Sequence, residues 1–271
     1  MVGRYNPELF ESDRWDDALS DWERRRIEAT LALIPEDAER VLDVGCGAGH
    51  LTHRVAARGH FTVGADYAAE GVARLKIPGV RASADALPFP DGAFDAVICS
   101  EVIEHLPSPL FEGALRELRR VARRWVILTV PYRERLAEAR VCCPECGEVF
   151  NSHGHLRSFE PDEVRALLPR PDRVEVLIKP RAYQDPALLW LMQRGLGRYG
   201  YNTWAVCPAC GNRDFEARKV DWVRRGVMGL NRVLHRNKVA EGGWILARFK
   251  TGGGQAPSGR SSAGTASSPL G

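Results

Sequence analysis

The chain has 271 residues, of which 44% are hydrophobic and 27% are charged. This balance is ordinary for a globular domain and excludes collagen, coiled coils and wholesale disorder. Because no apolar segment follows the N-terminus and no later stretch is long enough to span a bilayer, we expect a cytoplasmic protein. The net charge of +3 conceals an asymmetry: residues 1–180 hold 24 basic and 30 acidic side chains, whereas residues 181–250 hold 13 and 5.

Regularly spaced apolar residues predict one or two amphipathic helices over residues 9–34. From Arg40 onward, apolar runs predict strands, which lie at Val41–Val44, Phe61–Ala65, Ala93–Ser100 and Trp125–Val130. The last two runs are connected by a helix whose apolar face consists of Phe111, Leu115, Leu118 and Val121. Strands that alternate with helices are typical of βαβ units. The sequence therefore predicts an α/β fold with a doubly wound, mostly parallel, seven-stranded Rossmann-like sheet.

Further along the chain, the pattern predicts a helix over about residues 161–168 and strands at Val174–Ile178 and Trp244–Phe249. The last residues are rich in Gly, Ser and Ala and bury too little apolar surface to fold, so we predict a disordered tail. The predicted parts are a helical lid at 1–37, a main domain at 38–250 with insertions at about 140–156 and 181–241, and the tail at 251–271.

A glycine-rich turn, Gly45-Cys46-Gly47-Ala48-Gly49, follows the first predicted strand. Glycines let the backbone turn tightly and approach a ligand closely. Dinucleotide-binding dehydrogenases use a similar turn, although their usual Gly-x-Gly-x-x-Gly spacing is not present here. Asp66 ends the second strand, where a carboxylate accepts hydrogen bonds from ribose hydroxyls. Asp85 follows the next strand and is placed to bind an adenine amino group, so these segments predict one nucleoside-binding crevice.

Over residues 38–131 the sequence resembles the class I S-adenosylmethionine-dependent methyltransferases, most closely the small-molecule branch that includes the ubiquinone and menaquinone enzymes. The resemblance implies S-adenosylmethionine as the cofactor, bound at its methionine part by Asp43 and the glycine turn. It also implies that Ser100 and Glu101 border the methyl-transfer site. The cofactor-binding residues that it implies are Asp43, Gly45, Cys46, Gly47, Gly49, Asp66, Tyr67, Asp85, Ala86 and Ser100.

Two catalytic candidates follow the fourth predicted strand. His105 is the candidate general base, because an imidazole titrates near working pH, and Glu101 is the second candidate. The alternative is that His105 only packs or caps a helix start. Glu101, Glu104 and His105, with His153 or His155, also form a hypothetical site for a second divalent ion. Small-RNA 2'-O-methyltransferases and some quinone-pathway O-methyltransferases carry a similar run, but the run is also frequent in the superfamily without a metal.

The chain has seven cysteines, and four of them form two Cys-Pro-x-Cys-Gly knuckles, Cys143/Cys146 and Cys207/Cys210. Proline and glycine set a turn that points two thiolates at one ion, and two such turns make a closed tetrahedral site for a structural Zn²⁺. Two unrelated surface turns or a redox pair are the alternatives. Because both knuckles follow strands of the sheet, we expect the zinc ribbon to wall the substrate pocket.

The segment from Arg224 to Lys238 alternates basic and apolar residues as an amphipathic helix does. It is suited to an anionic substrate, RNA or a membrane surface, and a solvated face is the simplest alternative. The predicted function is methyl transfer to a small metabolite or a glycan- or lipid-linked intermediate. The alternatives are an RNA methyltransferase that grips phosphates with the zinc ribbon and basic helix, and a non-catalytic cofactor-binding or assembly protein.

Overall fold

The computed structural model describes residues 18–200, 202–215 and 221–252. Its strands are β1 (Arg40–Val44), β2 (Phe61–Asp66), β3 (Gly79–Arg81), β4 (Phe94–Ser100), β5 (Ala122–Tyr132), β6 (Arg140–Cys142), β7 (Val149–Asn151), β8 (Pro171–Ile178), β9 (Arg181–Ala182), β10 (Val239–Ala240) and β11 (Gly243–Lys250). Its α-helices are α1 (Asp21–Leu31), α2 (Thr52–Ala57), α3 (Ala69–Ala73), α4 (Ser108–Val121), α5 (Pro161–Leu167), α6 (Pro186–Trp190) and α7 (Trp222–Leu234). No helix within these ranges combines the length and apolar character needed to cross a bilayer.

The main sheet has seven strands in the order β3-β2-β1-β4-β5-β11-β8. Strand β1 pairs in parallel with β2 on one side and with β4 on the other, so the strand order reverses between β1 and β4. Strand β11 runs antiparallel to both β5 and β8. The predicted doubly wound, mostly parallel sheet is therefore confirmed. Its topological switch point lies at the carboxyl ends of β1 and β4, where open α/β sheets bind ligands.

The alternating side chains of the central strands supply two apolar layers. On one face, Val41, Ile98 and Ile127 pack with Ile27 and Leu31 of α1. On the other face, the intervening strand residues pack with α4 and α5, and the buried members of this layer include Leu42, Val97, Cys99, Val126, Leu128, Leu118 and Val164. Each central strand is thus buried on both faces, which is why these segments read as continuous apolar runs in the sequence.

Within the described residues, the predicted N-terminal helical segment contains one α-helix, α1. Helix α1 begins at Asp21 because Ser20 caps it: the Ser20 Oγ accepts the Glu23 N–H, and the Glu23 carboxylate accepts the Ser20 N–H. This reciprocal capping box satisfies two otherwise unpaired donors. The first part of the predicted helical lid, residues 1–17, and most of the predicted tail, residues 253–271, lie outside the described residues.

Candidate active site

A cavity of about 720 Å³ opens where β1, β2, β3 and β4 end at their carboxyl edge. Among the residues predicted for the cofactor and for catalysis, the cavity is lined by Asp43, Gly45, Cys46, Gly47, Asp66, Tyr67, Ser100, Glu101 and His105. The predicted Gly49, Asp85 and Ala86 are not in this lining, which includes Ala82, Ser83 and Ala84 instead. The structure therefore brings most of the predicted residues to one place.

The glycine turn leaves no room for a side chain at Gly45 and Gly49. Gly45, Gly47 and Gly49 have positive φ angles of 75°, 50° and 83°, which favour glycine. A Cβ atom on Gly45 would lie 2.1 Å from Cγ2 of Val102. Asp66 fixes the turn from the next strand, because its Oδ2 accepts the Gly47 N–H at 2.7 Å. Backbone atoms can thus approach a ligand in the cavity closely.

Asp43 is buried at the end of β1 and accepts a hydrogen bond from the Thr52 hydroxyl at 2.7 Å. Burial raises the pKa of Asp43 from 3.8 to about 6, and the nearby charge of Asp66 adds to this effect, whereas the Thr52 hydrogen bond opposes it. A carboxylate held at a raised pKa in a cleft is typical of a functional position.

Asp85 lies beside the cavity lining instead of within it. Its carboxylate accepts a hydrogen bond from the Ser83 hydroxyl. Helix α4 packs closely on this loop, since a Cβ atom on Gly113 would lie 2.6 Å from the Cβ of Asp85. The assignment of Asp85 and Ala86 to the adenine stays a prediction.

Glu101 occupies the turn that follows β4. Its φ angle is 59°, an uncommon value for a residue with a side chain, and its N–H donates to the Thr129 carbonyl at 2.9 Å. The Trp244 indole donates to Oε2 of Glu101 at 2.9 Å. Among the described residues, Oε1 of Glu101 has no hydrogen-bond partner. Burial raises the pKa of this carboxyl. Backbone strain of this kind is typical of active sites.

Glu104, His105 and His155 form a cluster of ligand atoms within 4.8 Å of one another. Glu104 is 0% exposed, and within the described part of the chain neither of its carboxylate oxygens has a hydrogen-bond partner. The rings of His105 and His155 meet edge to face with centroids 4.6 Å apart. Burial, and then the charge of Glu101, raise the pKa of Glu104 well above its ordinary value. This donor set fits a divalent cation.

Glu134 is a site residue that the sequence interpretation missed. It accepts a hydrogen bond from Nδ1 of His155, and its other oxygen lies 3.7 Å from Nδ1 of His153. Burial disfavours the charged form, but these histidine contacts outweigh it and lower the pKa of Glu134 to about 2. Its position two residues after β5, at the carboxyl edge of the sheet, is the signal that points to it.

Arg26 is a second missed residue and lines the cavity from α1. Its Nη1 donates to the Ser100 hydroxyl at 2.9 Å, and its guanidinium carbon lies 5.8 Å from the Trp244 ring centroid. Nothing in the sequence distinguishes it from the adjacent Arg24 and Arg25, because only the packing of α1 on the sheet turns it inward. Helix α1 is therefore part of the cavity wall, and Arg26 brings a cation into the cavity.

The four knuckle cysteines come together. The Sγ atoms of Cys143 and Cys210 are 3.6 Å apart, and those of Cys146 and Cys207 are 3.5 Å apart. A tetrahedral site with Zn–S bonds of about 2.3 Å requires sulfur atoms about 3.8 Å apart, so the arrangement fits zinc. The two turns have the same form, with Gly147 at φ 75° and Gly211 at φ 72°. A small apolar cluster supports them, made of Val141, Cys143, Phe150, Ala205, Cys207 and Phe215.

The segments beside the two cysteine knuckles, here called the knuckle region, contribute to the cavity wall. His153, His155 and Trp204 all line the cavity, and the rings of His153 and Trp204 stack with centroids 6.1 Å apart. His153 follows the first knuckle and Trp204 precedes the second, so residues beside both knuckles meet over the site.

Comparison with known proteins agrees with this geometry. Residues 42–129 match the family model described as a methyltransferase domain. The chain is 39% identical over 106 residues to a demethylmenaquinone methyltransferase of Mycolicibacterium gilvum, which covers 38% of this chain and 44% of the relative. It is 32% identical over 94 residues to a ubiquinone biosynthesis O-methyltransferase of Xylella fastidiosa, which covers 31% of this chain and 38% of the relative. The chain thus spans less than half the length of these two relatives.

A solved structure shows the same fold. A SAM dependent methyltransferase from Archaeoglobus fulgidus is similar with a TM-score of 0.50 and 16% sequence identity, over 84% of this chain and 92% of that one. The glycine turn, the buried Asp43 and the Asp66 carboxylate all lie in the segment that matches the family model. Residues 42–129 therefore match a methyltransferase domain, and the fold around them is the one found in this SAM dependent methyltransferase.

Proposed function

We propose that the protein transfers the methyl group of S-adenosylmethionine to a hydroxyl oxygen of an apolar small molecule or lipid-linked intermediate. One observation carries this proposal: two groups of residues meet at a single cavity. The first group is the glycine turn with Asp66. The second is His105 and His155, which line the same cavity, together with the adjoining Glu104. A cofactor held by the first group would lie beside an acceptor held by the second.

The cofactor half of the proposal rests on residues at the ends of β1 and β2. Asp66 would accept hydrogen bonds from the ribose hydroxyls, and Asp43 with the glycine turn would hold the methionine part. Asp66 already accepts backbone N–H groups from Gly47 and Ala68, at 2.7 and 2.8 Å. These contacts hold the Asp66 carboxylate at the cavity, which it lines. When bound, S-adenosylmethionine supplies an electrophilic methyl group on a sulfonium sulfur.

The acceptor half rests on the buried Glu104 carboxylate. Glu104, His105 and His155 would hold a divalent cation, and that cation would supply a Lewis acid that favours ionisation of an acceptor hydroxyl. Glu134 would orient His155 through the hydrogen bond to Nδ1, which leaves Nε2 for the ion. The cluster therefore favours an oxygen acceptor over a carbon acceptor.

The transfer itself needs an oriented nucleophile and a proton acceptor. The acceptor oxygen forms a bond to the methyl carbon as the carbon–sulfur bond breaks, and the electron pair of that bond stays on sulfur. We assign the hydroxyl proton to Oε1 of Glu101, since Trp244 holds the other oxygen and Glu101 lines the cavity. In this assignment His105 is a cation ligand, and Glu101 is the general base.

The comparisons favour an apolar acceptor. Two relatives are named for demethylmenaquinone and for ubiquinone biosynthesis, both quinone-type small molecules. The similarity covers the cofactor half of the domain, whereas the acceptor side in this chain is completed by the knuckle region through His153, His155 and Trp204. We propose that this wall selects the acceptor, and that a structural zinc ion at Cys143, Cys146, Cys207 and Cys210 holds it in place.

Cofactor binding is the first expectation. Asp66→Ala should weaken S-adenosylmethionine binding, measured by calorimetry, by about 100-fold, because two hydrogen bonds to a charged group are lost. Asp91→Ala, which removes an exposed surface carboxylate, should bind like the wild type. Thermal unfolding of each variant establishes that it is folded. Equal affinity of the folded Asp66→Ala protein and the wild type would contradict the cofactor assignment.

Asp43 should lower the free energy of unfolding at neutral pH while it supports S-adenosylmethionine binding. Its folded pKa of about 6 exceeds the ordinary 3.8, so the native state gains stability as pH falls through that interval. At about pH 7.5 the buried charge costs up to about 3 kcal/mol. Asp43→Asn should therefore raise the free energy of unfolding at that pH and bind S-adenosylmethionine more weakly. Denaturant titrations of both ligand-free proteins should converge near pH 4, and a constant difference across this range would contradict the raised pKa.

Zinc should be structural and specific to four of the seven cysteines. Metal analysis should find about one zinc per chain, as a closed four-thiolate site requires. Cys207→Ser should lose the zinc and lower the melting temperature, whereas Cys142→Ser should retain both, since Cys142 adjoins the cluster without belonging to it. Retention of zinc by the Cys207→Ser protein would contradict this ligand set.

The cation site should depend on Glu104. In zinc-loaded protein, Glu104→Gln should weaken Mn²⁺ binding by about 100-fold or more, because loss of a direct ligand exceeds the usual cost of losing a supporting group. The same variant should lose S-adenosylhomocysteine formation with hydroxylated apolar ring compounds but keep its S-adenosylmethionine affinity. Glu112→Gln, at an exposed position of α4, is the control.

Two results would contradict parts of this account separately. Unchanged Mn²⁺ affinity in the Glu104→Gln protein would overturn the cation site. Equal turnover with the matching ring methyl ethers, which lack a free hydroxyl, would overturn the oxygen acceptor.

A further inference from the structure

Helix α7 (Trp222–Leu234) presents an apolar stripe to solvent. Trp222 is 74% exposed, Val233 71% and Leu234 60%, and Val223 and Leu230 are exposed as well. On a helix with 3.6 residues per turn, these five positions fall on one side. A surface helix normally turns its apolar stripe toward the core, so within the described part of the chain this stripe contributes little to folding and is available to a partner.

The opposite side of α7 fixes this orientation. Asn231 is 5% exposed, and its side chain donates to the Tyr183 carbonyl at 2.7 Å and accepts the Asp185 N–H at 2.8 Å. Nε2 of His235 lies 3.2 Å from the Asp185 carboxylate. These polar contacts face the protein, so the apolar stripe is held outward.

Beyond Asp221, which caps its N-terminus, the charge along α7 itself is positive. Residues 222–240 contain four arginines and one lysine but no aspartate or glutamate. Arg225 and Arg232 are exposed on the flank of the stripe, and the Arg225 guanidinium lies 5.6 Å from the Trp222 ring centroid. Trp190, in α6, is also exposed, and residues 186–200 again contain no acidic side chain. The partner is therefore anionic at its surface and apolar within.

We propose that α7 binds the surface of an anionic lipid bilayer. The apolar stripe would enter the boundary between headgroups and acyl chains, and Arg225 and Arg232 would contact lipid phosphates. An outward apolar face with a tryptophan and flanking cations is the composition of a helix that lies in a membrane interface. Anionic lipids attract such basic segments at short range.

Two other partners for α7, a second copy of the protein and RNA, match either the apolar stripe or the positive charge but not both. A second copy of α7 would bring two sets of cations together without an acidic partner in residues 222–240. RNA would account for the arginines but not for Val223, Leu230 and Val233, because RNA is bound through phosphates and aromatic stacking. Residues 1–17 hold five acidic and two basic side chains, so the full chain has to be used in the test.

The test is co-sedimentation of the full-length, zinc-loaded protein with vesicles. We expect binding to mixed phosphatidylglycerol and phosphatidylcholine vesicles, weak binding to phosphatidylcholine alone, and a loss of binding as salt increases. Trp222→Ser/Val233→Ser and Arg225→Gln/Arg232→Gln should each lower the partition coefficient by about tenfold or more. Ile178→Ser/Arg165→Gln removes the same kinds of side chain from β8 and α5 and should change it by less than about twofold.

The proposal is independent of methyl transfer, because the α7 variants should keep the wild-type affinity for S-adenosylmethionine. Three results would overturn it. The first is no vesicle binding by the full chain. The second is equal vesicle binding by wild type and Trp222→Ser/Val233→Ser. The third is that the wild type forms a dimer in sedimentation equilibrium or binds a polyuridine RNA tightly, and that Trp222→Ser/Val233→Ser abolishes this association but not vesicle binding.

Discussion

The carboxylate of Glu104 lies fully buried beside the imidazoles of His105 and His155, without a hydrogen bond from the described residues. Removing a charged group from water is costly unless a counter-charge or hydrogen bonds compensate. The turn after β4 enforces this burial, because Glu101 adopts a positive φ there and its N–H is bonded to β5. Both glutamates are thus fixed at the point where the sheet opens, and a cation is the partner that we propose for Glu104.

The remainder of the cavity is built around this point from distant parts of the chain. Trp244, on the antiparallel strand β11, holds one oxygen of Glu101 and packs beside Arg26 of α1. Glu134, just after β5, holds His155. In the proposed function, the parallel strands would supply the cofactor crevice, and these later elements would form the site for the acceptor beside it.

The knuckle region joins two distant parts of the chain beside the cavity. The four cysteines connect a hairpin after β5 to a loop that precedes α7, and His153 and Trp204 stack beside this connection. In the proposed zinc-bound protein, the ion would hold the acceptor wall, and α7 would bring that wall to a membrane surface. An apolar, lipid-linked acceptor would then be available where the protein binds.

The sequence predicted the central sheet well, because β1, β2, β4, β5 and β11 are buried apolar runs whose pattern is local. It also predicted that the cysteine knuckles would meet and that most of the proposed cofactor residues would lie around one cavity, since carboxyl ends of parallel strands share one edge. It did not predict Arg26 or Glu134, because their roles depend on tertiary packing and on partners far away in the chain. The short strands β6, β7, β9 and β10 were missed for a different reason: two or three residues carry no periodicity.

The central claim is that the cofactor and a divalent cation share one cavity. It is tested most directly by nuclear magnetic resonance of S-adenosylmethionine labelled with carbon-13 in the transferable methyl group, bound to zinc-loaded protein with and without Mn²⁺. The account predicts that Mn²⁺ broadens the methyl signal in the wild type and leaves it sharp in the Glu104→Gln protein. A sharp methyl signal in wild-type protein that has bound both Mn²⁺ and the cofactor would contradict it.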